Sequence, residues 1–571
     1  MTKSCPECHS PFTISPAEND FRRNISPQFN GRTFLIPEPS LCPDCRQQRR
    51  LAFRNELNLY KRSCDKCQKS IISVYSSDKE LVVYCSDCWW SDSWSALSYG
   101  QDFDFNRPFF PQFAELSKKV PLLANSVFSS QNSEYNSFAV DDKDCYLSAR
   151  IASCEKVLYS YLVIQGRDSV DCMNLFQSEG CYECIDCWNC YNLMFSQLCK
   201  NSSDSFFCYD CTSVKNCFGC IGLRNKEYHF FNKPCSKEDY ERYVKQYFNG
   251  SALQIKKIRE KFFQEVILKN PHRATYQLNS QNVLGDYITN SKDVVMGFDV
   301  EKSESITHTW GAEYAKDILD GSFIYYGERC YEQVSNSHST NILFSFNTIT
   351  NVHDVLYSMI LCNNAGPAFG CLALNHQSYC ILNKQYSKEV YETKVGEILE
   401  HMTLRQAQGA NAEYGEFFPM ELSLFSYNET VAQEYFPLSK EEVLKRGLRW
   451  KDPEEQILDS GGKSPLARGL GGLPDNISEA KDDILTQTLI CSTTGRPYKI
   501  TPQELEFYRK KNLPLPRLHP LERKRQRMLL RNPRKLWKRT CTKCQKQITT
   551  SYSPERPEII YCEECSVKER Y

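Results

Sequence analysis

No stretch of this chain approaches the roughly 20 consecutive apolar residues that a membrane-crossing helix needs, and no apolar segment follows Met1-Thr2-Lys3-Ser4-Cys5 as a secretory leader would require. Net charge is missing too. Lys and Arg together number 70 and Asp and Glu together number 70, so no overall field draws in a polyanion. Asn-Gly pairs, the strongest signal for tight hairpins, are scarce. Only 9 histidines occur and they fall in no motif, and no acid, base and nucleophile stand at a recognisable spacing, although Asp141, Asp142 and Asp144 keep a carbohydrate-active enzyme open as a remote alternative. The expectation is a soluble, cytoplasmic, non-enzymatic protein with no membrane partner and no small-molecule substrate evident.

What is abundant is cysteine, 30 in 571 residues. In a long chain without a leader, Cys-x2-Cys pairs point to metal ligation rather than to disulfides. Residues 41–88 and 518–565 are one 48-residue module written twice, without a gap and with 20 identities. Within it, Cys64, Cys67, Cys85 and Cys88 match Cys541, Cys544, Cys562 and Cys565 position for position. Two knuckles joined by a hairpin-length spacer converge on a tetrahedral four-sulfur site, which favours zinc over rubredoxin-like iron. Upstream, Cys5, Cys8, Cys42 and Cys45 form a further set. Its C-terminal counterpart has decayed: Cys491 remains, while Thr494, His519 and Glu522 replace the other three. Three Zn2+ sites are expected, and a fourth that has lost its metal.

A second duplication lies in the centre. Residues 218–241 and 369–392 share 12 identities in 24. Strand-length runs of Tyr, Phe, Val and Cys precede each, at a step of about 12 residues in the second copy and more irregularly in the first. Short strands at fixed spacing indicate a repeat array, here a parallel β-solenoid. The fold expected is mainly β, with terminal zinc ribbons flanking two solenoid-like arrays. Ser236 and Ser387 are placed to cap a helix at the end of each array. Cys181, Cys184, Cys187 and Cys190 superficially resemble an iron–sulfur motif. Cys208 and Cys217, however, correspond to Met359 and Ala368 in the other copy, so the central cysteines read as packed core.

The implied order is a four-cysteine module with a basic helix (1–62), a zinc ribbon (63–92), a linker (93–138), array 1 (139–235), a capping helix and linker (236–280), array 2 (281–385), a helical cap (386–451), a disordered linker (452–485), a degenerate module with a basic helix (486–540) and a zinc ribbon (541–571).

Arg46, Arg50 and Arg54 recur as Arg523, Arg527 and Arg531, each an i, i+4, i+8 row on one helix face. The 523–539 segment carries nine Lys and Arg and no acid. These rows are the candidate nucleic-acid-binding residues, solvent-exposed and aimed at phosphates, with Trp89, Trp90 and Trp94 available to stack on bases. Met528, Leu529, Leu530 and Trp537 would form the buried side. A scaffold that binds protein partners through its arrays is the competing expectation.

The knuckle pairs with x17 spacing resemble zinc-ribbon domains over about 60 residues at each end. With the Leu-Arg-Asn-Pro-Arg-Lys-Leu-Trp segment before Cys541, the whole pattern resembles a group of bacterial multi-zinc-ribbon proteins of unknown activity. The resemblance implies modules that hold nucleic acid or protein, and no catalysis.

Overall fold

The computed structural model describes residues 2–325, 327–336, 339–407, 413–452 and 472–570. It divides into two compact units, Met1–Asn125 with Thr275–Gln456, and Ser126–Ala274 with Ile457–Tyr571. Each unit joins one terminal cysteine module to one array, and the N-terminal module belongs with the second array although the first follows it directly in the chain.

Strands dominate both units, and most pair in parallel. In the second unit Ala149, Tyr161, Met173 and Ile185 lie side by side, as do Tyr191, Ser203, Lys215 and Glu227, so the chain returns to pair with itself every 12 residues. The first array is thus regular, and its uneven spacing in sequence reflects which runs happen to be apolar. In the other unit the register is again 12, widening to 13 between Thr340 and His353.

The cause is a three-residue period that hydropathy alone conceals. From Phe138 to Phe231 every third residue has positive φ, including Asp141, Asp144, Lys156, Tyr159, Asp171 and Asn174, with glycine at 180, 219 and 222. A left-handed residue turns the strand sharply, so four such triplets close one 12-residue lap. Non-glycine residues adopt this conformation at a cost of about 1–2 kcal/mol. Asn and Asp bear it best, and they add ladders between laps such as Asn174 Nδ2 to Asp186 Oδ1 (2.7 Å) and Asn192 Nδ2 to Asp204 Oδ1 (2.9 Å).

The residue two places before each of these turns faces a core narrow enough to demand small side chains. Ile151, Val163 and Leu175 stack directly in register and are buried, each worth about 1.5–3 kcal/mol. Serine and cysteine fill many remaining inward positions because each links two laps. Ser160 Oγ donates to Leu158 O (2.9 Å) and accepts from Cys172 N–H (3.0 Å); Cys145 Sγ donates to Lys143 O and accepts from Val157 N–H, both at 3.4 Å. Cys181, Cys184, Cys187 and Cys190 are the four inward residues of one lap. All are buried, and each thiol donates to the carbonyl two residues back. The Cys-x2-Cys spacing here is the triplet period. Burial pushes the Cys184 and Cys187 thiols well above their ordinary range, away from the thiolate a metal needs.

Both arrays end alike. Asn232 and Asn383, each at φ 62, turn the chain into an antiparallel pair, His229 with Pro234 and Cys380 with Gln385. Helices follow at Lys237–Tyr247 and Lys388–Ala407, the first capped by Ser236 Oγ on Asp239 N–H and the second by Ser387 Oγ on Val390 N–H. Cys217 and Ala368 are buried at matching places, whereas an extra residue in the second array moves the match of buried Cys208 from Met359 to Ser358, whose N–H donates to Ser345 Oγ as that of Cys208 does to Ser196 Oγ. Residues 93–138, read above as a linker, contain a packed helix, Phe109–Lys119, that buries Phe109, Phe113 and Leu116, and parallel pairing already begins at Val127. Most of the linker read at 452–485 falls on 453–471, outside the described residues; 472–485 carry short 3-10 turns.

Candidate metal centres

Each four-cysteine set folds from a hairpin and a helix start. A two-strand hairpin (Tyr60–Ser63 with Ser70–Ser73) presents Cys64 and Cys67, and a positive φ at Gln68 lets Cys64 N–H reach Lys69 O at 2.9 Å. Cys85 then stands at the N-terminus of the helix Ser86–Trp89, and its N–H donates to Cys64 Sγ (3.3 Å). The third set repeats this geometry: the hairpin Trp537–Thr540 with Gln547–Thr550, positive φ at Gln545, Cys541 N–H to Lys546 O at 2.9 Å and Cys562 N–H to Cys541 Sγ at 3.3 Å. In the first set, Cys42 caps the basic helix Pro43–Leu51 (α1), and Cys42 N–H donates to Cys5 Sγ (3.4 Å).

Three groups of sulfurs result: Cys5, Cys8, Cys42 and Cys45; Cys64, Cys67, Cys85 and Cys88; Cys541, Cys544, Cys562 and Cys565. Within each, the ligand atoms lie within 4.8 Å of one another, and each could hold a metal ion. Four cysteines complete a tetrahedral shell and leave no open position for a substrate or water, which suits a structural centre. One thiol in each set is already acidic. Hydrogen bonding from the Cys45 thiol, the largest influence, brings Cys42 down to about 5. Burial pushes Cys64 up, but the N–H groups of Cys67, Cys85 and Lys66 together outweigh it and bring the thiol to about 6; Cys541 is held at about 6 in the same way.

A pH dependence follows. A thiol whose folded pKa is depressed contributes stability above its unfolded value, about 8.5, and loses it as pH falls through the folded one. In the second and third sets a partner thiol is pushed the other way, Cys88 and Cys565 up to about 12, so the four sulfurs titrate as one group, and metal retention should be complete at pH 8 and decline as acid protonates them. A chromophoric zinc indicator read across that range checks it, and release already complete at pH 7 would contradict it.

The degenerate fourth set keeps the fold without the ligands. Cys491 N–H reaches Arg496 O at 2.9 Å, Gly495 takes the positive φ that His9 has in the intact set, and His519 caps the helix Pro520–Leu530 (α2), its Nδ1 accepting from Leu521 N–H (3.2 Å). Glu522 is held by Arg525 at 2.8 Å. Burial, then the charges of Arg496 and Arg523, keep His519 neutral with a pKa of about 3. Among the described residues, Cys491, His519 and Glu522 do not gather as a ligand group.

The arginine rows are not the exposed stripes the sequence led us to expect. Arg46 and Arg50 are 1% and 0% exposed, Arg523 and Arg527 6% and 3%. Arg46 meets Asp320 at 2.8 Å, and Arg50 meets Glu332 at 3.1 Å and Asp320 at 3.6 Å. Arg54 is buried against Glu56 and over the Phe323 ring. In the other unit Arg523 meets Asp171 at 2.5 Å and Glu504 at 3.2 Å, Arg527 meets Asp171 at 2.8 Å, and Arg531 meets Asp186 at 2.9 Å. The faces of α2 are accordingly reversed: Leu529 and Leu530 are 62% and 52% exposed. At the end of α1 Leu51 is buried, as is Phe53 just beyond it. Of the three tryptophans, Trp90 and Trp94 are half-buried and only Trp89 is fully enclosed. Trp89 is buried, donates Nε1 to Pro121 O and packs edge-on against Trp90.

The acids that receive these arginines went unread in the sequence. Counted lap by lap from the matched segments, Asp171 and Glu183 occupy the places of Asp320 and Glu332, although Glu183 pairs with Arg259 at 2.8 Å and not with the row. All four have positive φ. An acid at a left-handed turn, recurring at one place in both arrays, is the signal that would have found them. Searches against protein-family models and against curated protein sequences returned no match.

Proposed function

We propose that this protein is a non-enzymatic, zinc-binding scaffold in which each array is a β-solenoid, clamped by a cysteine module and free to present its outer laps to macromolecular partners. The observation that carries the reading is the fate of the arginines. Arg46, Arg50, Arg523 and Arg527 end on buried carboxylates of the adjacent array, which supports an architectural role for the repeated rows over a phosphate-binding one. The 12-residue parallel register of the first array, kept to within one residue per lap in the second, supports the solenoid. Complete four-sulfur shells support zinc held for structure. Among the described residues, no helix is long and apolar enough to cross a membrane.

Nucleic-acid binding is the outcome that would displace this reading. Each phosphate contact steepens the dependence of log K on log salt by about 0.9. We expect retention on immobilised single- and double-stranded nucleic acid to be weak, with a slope shallower than about −2 between 50 and 200 mM salt. A slope near −6 in protein with its metal in place would overturn the scaffold reading.

A further inference from the structure

The two units are duplicates, so each serves as a control for the other, and at one place they differ in a way that opens a binding site. In the first unit a cavity of about 570 Å³ lies between the Asn24–Phe29 segment, the outer face of the array around Arg329, Asn341 and Leu343, and the start of the helix Lys388–Ala407. Tyr391 lines it. That side chain is 2% exposed, and its hydroxyl has no hydrogen-bond partner.

The sister tyrosine, Tyr240, is satisfied: its hydroxyl donates to Asp204 O at 2.9 Å. Asp204 corresponds to Asp354, which lines the cavity. Lys511, from the C-terminal module, fills the sister position. It donates to Asn192 Oδ1 (2.7 Å) and lies so close to Gly180 that a Cβ there would sit 2.9 Å from its ammonium. In the first unit both partners of that contact have changed. Arg329 stands for Gly180, Ile25 stands for Lys511, and Asn341 stands for Asn192. The cation has moved from the module to the array wall, and the shorter Ile25 leaves the space unfilled.

All but one of the charged side chains of the lining have an ion-pair partner among the described residues. Asp354 is engaged by His353 (3.1 Å) and by Asn341 Nδ2 (2.9 Å), and Glu392 by Lys388 at 3.9 Å. Among the described residues no ion pair engages Arg329. Arg329 is thus the one charged group of the lining without such a partner, beside a buried hydroxyl and an apolar wall of Ile25, Phe29, Leu343 and Leu356. We propose that this cavity binds a small organic oxyanion, its carboxylate or phosphate on Arg329, its planar apolar body against Phe29 and Leu343, and a polar substituent on the Tyr391 hydroxyl. Such a site needs few polar anchors in a largely preformed cleft, and the guanidinium fork suits either oxyanion.

Calorimetric titration of the full-length, metal-loaded protein with adenosine monophosphate, 4-hydroxybenzoate and inorganic phosphate tests this. One of the two aromatic oxyanions should bind with a dissociation constant below about 1 mM, at least tenfold tighter than phosphate alone, and which of the two does so distinguishes a phosphate from a carboxylate ligand. Arg329→Gly, the sister residue, should abolish that binding. Tyr391→Phe should weaken it by about 2- to 10-fold, as expected for one lost hydrogen bond. Ile25→Lys should block it by restoring the sister's plug, with unchanged circular dichroism as proof of fold. No binding of either aromatic probe at about 10 mM, or equal binding by wild type and Arg329→Gly, would overturn the proposal.

Discussion

Asp171→Ala should destabilise its unit by about 3–5 kcal/mol, a larger effect than any substitution on the outer face of the array. One carboxylate, fully buried, receives Arg523 at 2.5 Å and Arg527 at 2.8 Å. Its removal leaves two guanidinium groups facing each other in an interior that cannot solvate them. Glu504 takes up only part of the load, since it contacts Arg523 at 3.2 Å and burial already pushes its carboxyl up despite that neighbour. Asp168, one triplet earlier, meets Lys510 only at 3.8 Å near the surface, so Asp168→Ala should cost less than about 0.5 kcal/mol. Urea unfolding read by circular dichroism, with hydrogen exchange across Pro520–Leu530, separates the two. Asp320→Ala should behave like Asp171→Ala in the other unit, because Arg46 and Arg50 converge on it. Equal, small effects at Asp168 and Asp171 would mean that α2 is held by something other than its arginines.

Loss of metal should have the second large effect, and a local one. A structural zinc centre supplies about 10–16 kcal/mol of apparent binding free energy, which in so small a module is its folding energy. Cys541→Ser should therefore release one ion and unfold the hairpin Trp537–Thr540 with Gln547–Thr550. The damage should reach one strand further. Pro271–Arg273 pairs in parallel with Ile559–Tyr561, and Thr550 Oγ1 donates to Ala274 O at 2.6 Å. Hydrogen exchange should rise there while the laps between Ala149 and Phe218 stay protected, because their inward core does not depend on the ion. Exchange rising uniformly through the array would show that metal and array fold as one block.

Much of this was legible in the sequence, for reasons that differ by element. The twelve clustered cysteines could be read because ligation imposes both residue type and spacing. The end of each array could be read because Ser236 and Ser387 carry the same helix-start signal. Arg46, Arg50, Arg523 and Arg527 do share helix faces, Arg54 and Arg531 fall just beyond their helices, and none of the six is the exposed cation the pattern suggested. A run of cations looks solvated until its partners are known, and Asp171 and Asp320 lie hundreds of residues away at turns whose three-residue period is masked by mixed Cys, Ser and Val. The cavity beside Tyr391 was illegible for a related reason. It arises from two substitutions, Arg329 for Gly180 and Ile25 for Lys511, that become neighbours only once the module is seated on its array.

The most direct test of closed, structural four-sulfur centres is the metal content of protein purified without chelator, measured by plasma mass spectrometry on wild type and Cys541→Ser. Three sulfur groups are present, so three zinc ions per chain should fall to two in the variant, with iron and acid-labile sulfide near zero in both. One zinc or none in the wild type, or stoichiometric iron with sulfide, would contradict it.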